Sequence, residues 1–446
     1  MKRKLFAGMM IFLTAVVPVA GSINVGAADR PVAVGGLVGE ETEESAKKEA
    51  PDGEAEADSD GVDDSAAASE ADGQDAAVSV DKEKNLLNSA KVTDKIAEEK
   101  ENENVMFSPT SLNFALGMLA QGAKGETAEA LKNYLGTDDF AGYARDYLEK
   151  IKDYNIEEDE DSLYHSKLKI ADAIWADHTL PLNENFQEKV RDGFDSEVNN
   201  LDFSNPEEAC KIINEWCDRN TEGLIPEIIT PDSINEDTGL CLTNSLYFES
   251  AWSMEPWELA TEEEEFGDNG EKTLYMASYG DGYYENEKAT AFGRSYANGL
   301  TFVGILPKEE GEFRLADLDI SGLLKSSPEY DEVYCKMPKL NFETSAKLSE
   351  SLPSLGLENL FSSGADFSGI TDAGTKVGSI LQKTKLELDE NGTKAAAITA
   401  IQVETCAAPA SDPIIKDVDL TRPFAFLIYD GRNEEVLFMG KVVTVE

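Results

Sequence analysis

Apolar positions along this chain recur with two different periods, and the switches between them outline a body of mixed helices and strands. Apolar residues at three- and four-residue spacing predict helices over residues 85–100, 126–134 and 209–220, the last with Trp216 inside it. Leu112 to Gln121 is apolar on nearly every side, which predicts a helix buried all round. The segment Phe107-Ser-Pro-Thr-Ser111 ahead of it offers hydroxyls that can cap the helix and a proline suited to its first turn. Apolar or alternating runs predict strands at 168–176, 300–306, 333–337, 379–388, 424–429 and 436–442. Gly239 to Phe248 is a continuous apolar run of the kind found in a central strand. No linker divides these elements and no internal repeat is visible, so residues 84–446 are expected to form one large α+β domain with a substantial core.

One stretch fits two descriptions. Glu390 to Cys406 contains no proline, and the first proline after it is Pro409. Read as a strand, it would place Thr393, Ala395, Ala397, Thr399, Ile401 and Val403 on one face, and Lys394, Ala396, Ile398, Ala400, Gln402 and Glu404 on the other. The first row is small and then apolar, as a core-facing row should be. The second holds the charged residues from Thr393 onward. Because proline cannot donate to a sheet ladder, a segment able to pair must end at Ala408 or earlier. The stretch reads either as an ordinary strand that never moves or as an exposed loop that can become a strand.

The beginning of the chain is of a different material. Lys2, Arg3 and Lys4 precede an apolar run from Leu5 to Ala20, and small residues follow at Gly26 to Ala28. Residues 1–27 therefore read as a secretory signal peptide, which makes the protein secreted and extracellular. An uncleaved signal segment would instead tether it to a cell surface. Residues 28–83 are rich in Glu, Asp, Ala, Ser and Gly and contain no aromatic side chain. Such a segment cannot bury enough apolar surface to offset its ordering entropy, so an acidic disordered linker is expected. The formal net charge of the chain is −49, and about −38 of it falls on residues 84–446. A body this acidic repels nucleic acid and anionic lipid, and no polyanion cofactor is expected either.

Five cysteines, Cys210, Cys217, Cys241, Cys335 and Cys406, are too few and too scattered for a disulfide framework. Cys210 and Cys217 share a helical face but lie roughly 10 Å apart along the axis, too far to bridge. The first four read as small buried hydrophobes. The two histidines, His165 and His178, have no carboxylate or nucleophile in a recognisable motif beside them. Zinc-ligand, Gly-x-Ser-x-Gly and phosphate-loop patterns are missing, so neither an enzyme nor a bound metal or cofactor is expected.

Several segments together resemble the serpin family over essentially all of residues 85–446. They are Asn104-Val-Met-Phe-Ser-Pro-Thr-Ser111, Gly122-Ala-Lys-Gly-Glu-Thr127, Ile213-Asn-Glu-Trp216 with Thr221, Thr243-Asn-Ser-Leu-Tyr-Phe248 followed by Trp252, Asp366-Phe-Ser-Gly369, Asp389 to Thr399, and Arg422-Pro-Phe424 through Phe438-Met-Gly-Lys-Val442. Each alone is weak, but seven in the right order and spacing are specific. The resemblance implies three β-sheets, about nine helices and an exposed reactive-centre loop. It also implies a suicide mechanism. A serine protease attacks the loop and forms an acyl-enzyme, the cut loop inserts into the main sheet as a new strand, and the protease is deformed before it can deacylate. The expected partner is thus a target serine protease in a covalent complex with a monomeric inhibitor.

The resemblance also assigns roles. Glu390, Gly392, Thr393, Ala395, Ala396, Ala397 and Thr399 correspond to the insertion hinge. Counting fifteen residues from Gly392 places the reactive bond at Cys406-Ala407, with Thr405 and Ala408 as alternatives because the following segment is longer than usual. All of these are small, which suits elastase-like or subtilisin-like proteases. Ser108, Ser111, Asn244 and Gln382 correspond to a polar cluster where the sheet opens, with Gln382 standing where the family usually has histidine. Trp252 matches the aromatic where the loop first enters. An inserted segment of about fourteen residues would span roughly 45 Å. At about 1 kcal/mol net per ladder bond, it would release on the order of 10 kcal/mol. The alternative within the same family is a non-inhibitory serpin acting as a binding or carrier protein.

Overall fold

The computed structural model describes residues 79–157, 165–236, 238–254, 256–268, 270–393 and 413–445. In chain order these form α1 (Lys82–Glu99), β1 (Val105–Phe107), α2 (Pro109–Ala120), α3 (Gly125–Leu135), α4 (Phe140–Ile151), β2 (Ser166–Asp177), α5 (Glu184–Phe194), β3 (Glu197–Leu201), α6 (Pro206–Asn220) and β4 (Leu240–Ala251). Seven strands follow: β5 (Glu258–Leu259), β6 (Glu264–Phe266), β7 (Glu271–Thr273), β8 (Tyr275–Tyr279), β9 (Gly282–Glu285), β10 (Ala289–Ser295) and β11 (Thr301–Pro307). The remainder comprises α7 (Ile320–Leu324), β12 (Glu332–Pro338), β13 (Leu340–Lys347), β14 (Val377–Leu388), β15 (Gly392–Thr393), β16 (Ile415–Asp419), β17 (Phe424–Asp430) and β18 (Glu435–Val442).

The strands assemble into three large sheets and the small β6–β7 ribbon. The central sheet has the order β13-β14-β15-β4-β2-β3, the second β1-β18-β17-β11-β10-β9, and the third β16-β12-β8-β5. The three expected sheets are therefore present, with seven α-helices among the described residues against the expected nine.

Alternation along the central strands gives the sheet two unlike faces. Ile174, Leu240, Leu242 and Ile380 point into the main core, which continues through α2 to β17 and β18. Their neighbours Ala173, Trp175, Cys241 and Leu381 face α6 and pack with Cys210, Ile213, Trp216 and Cys217. Trp175 and Trp216 meet edge to face at 5.8 Å across this second core, within the range that favours aromatic pairs. The helix α2 is buried along almost its whole length, as its sequence predicts. Ser108 caps it by accepting from the Ser111 N–H, and Pro109 occupies its first turn.

Where boundaries differ, local chemistry explains the difference. Helix α1 starts at Lys82, because the Asp81 side chain accepts from the Lys84 N–H and caps it there. Val80 is already buried. Residues 82–83, grouped with the acidic linker on composition, thus belong to the helix. The cysteines Cys210, Cys217, Cys241 and Cys335 are buried and free, as expected, and burial pushes the thiols of Cys217, Cys241 and Cys335 up to about 12.

Candidate functional site: a fork in the central sheet

Strands β4 and β14 are parallel neighbours over only half their length. Val377, Ser379, Ile380, Leu381 and Gln382 pair with Leu240, Cys241, Leu242, Thr243 and Asn244. Beyond Gln382 and Asn244 no ladder joins the two strands among the described residues. At the open end, the two residues of β15 sit between them. Gly392 lies opposite Ala251, and Thr393 lies opposite Ser250 on one flank and Leu388 on the other, antiparallel to both. The sheet is closed below and forked above, with the first rung of an additional strand already in place at the top.

The turn into that rung is tightly held. The Asp389 N–H donates to the Gly392 carbonyl at 2.9 Å, and the Asn391 N–H donates to Asp389 Oδ1 at 2.8 Å. Gly392 has φ 153°, outside the range that side chains favour, so glycine is needed there for backbone reasons. Trp252 grips the same turn twice, its N–H donating to the Asn391 carbonyl at 3.0 Å and its Nε1 to the Asp389 carbonyl at 3.2 Å. The Trp257 N–H donates to the Glu390 carbonyl at 2.9 Å. Lys339 forms an ion pair with Glu390. Burial opposes the charge on Glu390, but Lys339 more than offsets it and holds the carboxyl below its usual range.

Thr393 is 3 % exposed, as the first member of a core-facing row should be. Its hydroxyl shares a 2.7 Å hydrogen bond with Tyr296, whose ring stacks on Trp252 at 4.4 Å. Beneath this pair lies the fully buried Arg294. Its Nη1 donates to Ser278 Oγ at 2.7 Å and to the Tyr279 carbonyl, and its guanidinium stands 4.9 Å from the Trp257 ring centre. Buried charge is tolerated when hydrogen-bonded, and the aromatic face adds attraction. Sequence reasoning identified Trp252 but missed Arg294, Trp257, Tyr296 and Lys339, which come from β10, the β4–β5 connection and the β12–β13 corner. Nothing local to those residues points to the turn at Glu390.

At the closed end of the fork, the expected polar cluster is assembled. Gln382 Oε1 accepts from the Ser108 N–H at 2.7 Å, while its Nε2 donates to the Ser108 carbonyl at 3.1 Å and to Asn244 Oδ1 at 2.6 Å. One side chain thereby ties β14 to β4 and to the start of α2, so glutamine completes a network here without histidine. Ser111 belongs to a different arm, its Oγ donating to Asp172 Oδ1 at 3.2 Å. Asp172, on β2 directly opposite Asn244, is a residue the sequence reading missed. It is 2 % exposed, and Asp172 Oδ2 and Asn244 Nδ2 both lack a hydrogen-bond partner. Burial pushes the Asp172 carboxyl well above the usual range, and the Ser111 bond offsets only part of that.

Carboxylates also stand beside both histidines in space. Glu249 lies 3.2 Å from His165 Nε2, and Asp177 and Asp202 each lie 3.6 Å from His178 Nδ1. These are ordinary half-exposed ion pairs away from the fork. The remaining hinge positions Ala395, Ala396, Ala397 and Thr399, and the bond candidates Thr405, Cys406, Ala407 and Ala408, lie outside the described residues.

Comparison with known proteins decides what carries this fork. The family model for serpins, the serine protease inhibitors, matches residues 87–445. The chain belongs to the serpin family. A serpin-like protein of Methanosarcina acetivorans is 31 % identical over 358 residues, covering 77 % of this chain and 82 % of its own length. Serine protease inhibitor 42Dd of Drosophila melanogaster is 30 % identical, with 77 % and 92 % covered. Among solved structures, the native state of the thermophilic serpin tengpin superposes with a TM-score of 0.68 at 29 % identity, covering 81 % of this chain and 94 % of that one. Human thyroxine-binding globulin has a TM-score of 0.66 at 23 % identity and shares the fold. Serpins in general bind target proteases and inhibit them, and they are not enzymes in the usual sense.

Proposed function

We propose that this serpin is an exported suicide-substrate inhibitor of elastase-like or subtilisin-like serine proteases. The observation that carries the reading is the seat of Gly392 and Thr393 between β14 and β4, antiparallel to both. The chain after Thr393 needs only to continue downward in that register to become a central strand. Serpin loop insertion is itself a standard case of strand addition. Here its energetic balance can be followed strand by strand. The new strand would break the single β4–β14 ladder, which has five paired positions, and would form ladders on both of its flanks. One ladder is lost and two are gained, so the net gain is about one ladder, on the order of 10 kcal/mol over the inserted length. A protease domain is itself stable by only about 5–15 kcal/mol, so a gain of that size is enough to distort it.

In this reading the protease serine attacks the carbonyl carbon of the bait, at Cys406 or at a neighbour between Thr405 and Ala408. The bond to the following nitrogen breaks, that nitrogen leaves as an amine carrying the proton, and the acyl-enzyme ester is carried off by insertion before water hydrolyses it. Small bait residues suit shallow specificity pockets, which is the basis for the elastase and subtilisin classes. Secretion rests on the basic-then-apolar start of the chain.

Mixing the protein with an elastase-type and a subtilisin-type protease tests the proposal. An SDS-stable complex of the summed mass is the expected result. Clean cleavage between residues 405 and 408 with no complex would overturn it in favour of a binding or carrier role. Mass spectrometry of the released C-terminal fragment identifies the bond.

A further inference from the structure

The third sheet turns a face to solvent that the fold leaves uncovered. Cross-strand register places Asp417, Tyr334 and Tyr279 in one row across β16, β12 and β8. Ile415 and Glu332 form the adjacent row, and Asp419, Lys336, Ala277 and Glu258 the row on the other side. The inward residues Val333, Cys335 and Val418 are buried, so this row pattern faces outward. Tyr279 is 53 % exposed, Tyr334 36 % and Ile415 52 %. The two tyrosine rings nevertheless brace one another edge to face at 5.9 Å. Carboxylates surround them, and Asp419 and Glu258 are both near enough to act on the Tyr334 hydroxyl. Rigid, exposed tyrosines offer a large contact area for little loss of side-chain entropy, the property that makes them frequent anchors of interfaces.

The end of the chain segment that precedes this face says what would cover it. The described residues stop at Thr393 and resume at Pro413, immediately before Ile415 opens β16. That return is anchored beside the tyrosine row. The Ile414 N–H donates to Asp331 Oδ2 at 2.6 Å, and the Ile414 carbonyl accepts from the Asp331 N–H at 2.8 Å. Eight residues separate Ala407 from Ile415, so the bait lies at most about 28 Å from this face even with the chain fully extended. A protease domain of roughly 250 residues has a radius of gyration near 18 Å and is about 45 Å across. A body of that width, holding the bait in its cleft, overhangs the sheet.

We infer that the Tyr279–Tyr334–Ile415 face is a second docking surface for the body of the target protease, selecting one with an apolar patch and basic residues beside its cleft. The inference rests on the inhibitory reading above. Its effect would be on encounter and initial docking, since complementary charge raises association rates more than it changes later steps. It would add specificity that the small, undiscriminating bait cannot supply.

The test compares the wild-type chain with the double variant Tyr279→Ser/Tyr334→Ser and, separately, with Asp417→Lys. Each is mixed with whichever of the elastase-type and subtilisin-type proteases forms the SDS-stable complex. The association rate constant and the number of inhibitor molecules consumed per complex are measured at low and high salt. The docking surface predicts an association rate roughly tenfold lower for both variants, an unchanged stoichiometry, and a salt dependence that is weaker in Asp417→Lys. Rates equal to wild type overturn it. So does an altered stoichiometry at an unchanged rate, which would place the tyrosines in insertion and not in docking. If the wild-type chain forms no covalent complex with either protease, the inhibitory reading falls, and this surface falls with it.

Discussion

Replacing Asp172 with asparagine should remove a pH penalty on the central sheet. In the wild-type protein this carboxyl is buried between β2, β4 and α2, and the polar groups placed toward it, Ser111 and Asn244, are uncharged. With only one hydrogen bond to it and Oδ2 unpartnered, the charged form is poorly supported and the pKa rises. In the unfolded chain the same group titrates near its ordinary value of about 3.9. Above that pH the unfolded state releases a proton that the folded state keeps. The stabilisation is therefore complete below the unfolded pKa and is lost as pH rises through the folded one, at about 1.4 kcal/mol per pH unit. For a domain of this size that corresponds to roughly 2 °C in Tm per pH unit. Asparagine keeps an oxygen to accept from Ser111 and has nothing to ionise in this range. Thermal unfolding of both proteins followed by circular dichroism from pH 4.5 to 8 should show the Tm difference growing in favour of Asp172→Asn as pH rises. The difference should level off at the folded pKa. A difference that stays constant across that range would show that the carboxyl is ionised in the folded protein, and the burial argument would be wrong.

Thr393→Arg would force a charge into a position that is 3 % exposed and break the hydrogen bond to Tyr296. Protease digestion should then yield cleaved protein with no SDS-stable complex and no rise in Tm after cleavage. Gln382→Leu strands the Ser108 N–H and carbonyl and Asn244 Oδ1, which now receive three bonds of 2.6–3.1 Å. At about 1–3 kcal/mol for each group left unsatisfied, the native sheet should lose several kcal/mol, read as a lower Tm and as polymers on native gels. Arg294→Met should loosen the turn at Glu390 through its Trp257 and Trp252 contacts, read as faster hydrogen exchange at residues 389–393. A thiol reagent at pH 8 should modify only Cys406 in the native protein, because the other four thiols are buried. Full modification of Cys406 should slow inhibition, and an unchanged rate would remove it from the reactive bond.

Strongly periodic segments were legible without the fold. The helix at Leu112 and the central strand at Gly239 follow from burial on all sides, which leaves an unmistakable apolar run. Elements with thin patterns escaped that reading. β13 alternates Leu340, Thr344 and Ala346 with polar neighbours and shows little beyond a weak period of two. α4 and α5 bury one narrow face through residues such as Phe140, Tyr147, Phe186 and Val190 inside highly charged stretches. The polar cluster was legible only through resemblance to a family. The period of the sequence marks which side chains are buried, but not which distant carbonyl each one finds.

The sequence by itself determined the class of the fold, the small-residue hinge and the lack of a bulky or basic bait, because these depend on side-chain size, charge and periodicity along one strand. Tertiary structure alone decided that β4 and β14 part beyond Gln382, that Thr393 already occupies the gap, that an unpartnered carboxyl sits at Asp172, and that two tyrosines from separate strands meet on an open face. Each of these depends on register between segments that are far apart in the chain. Register is set by the packing of the whole sheet, and a change of one residue would turn every side chain to the opposite face.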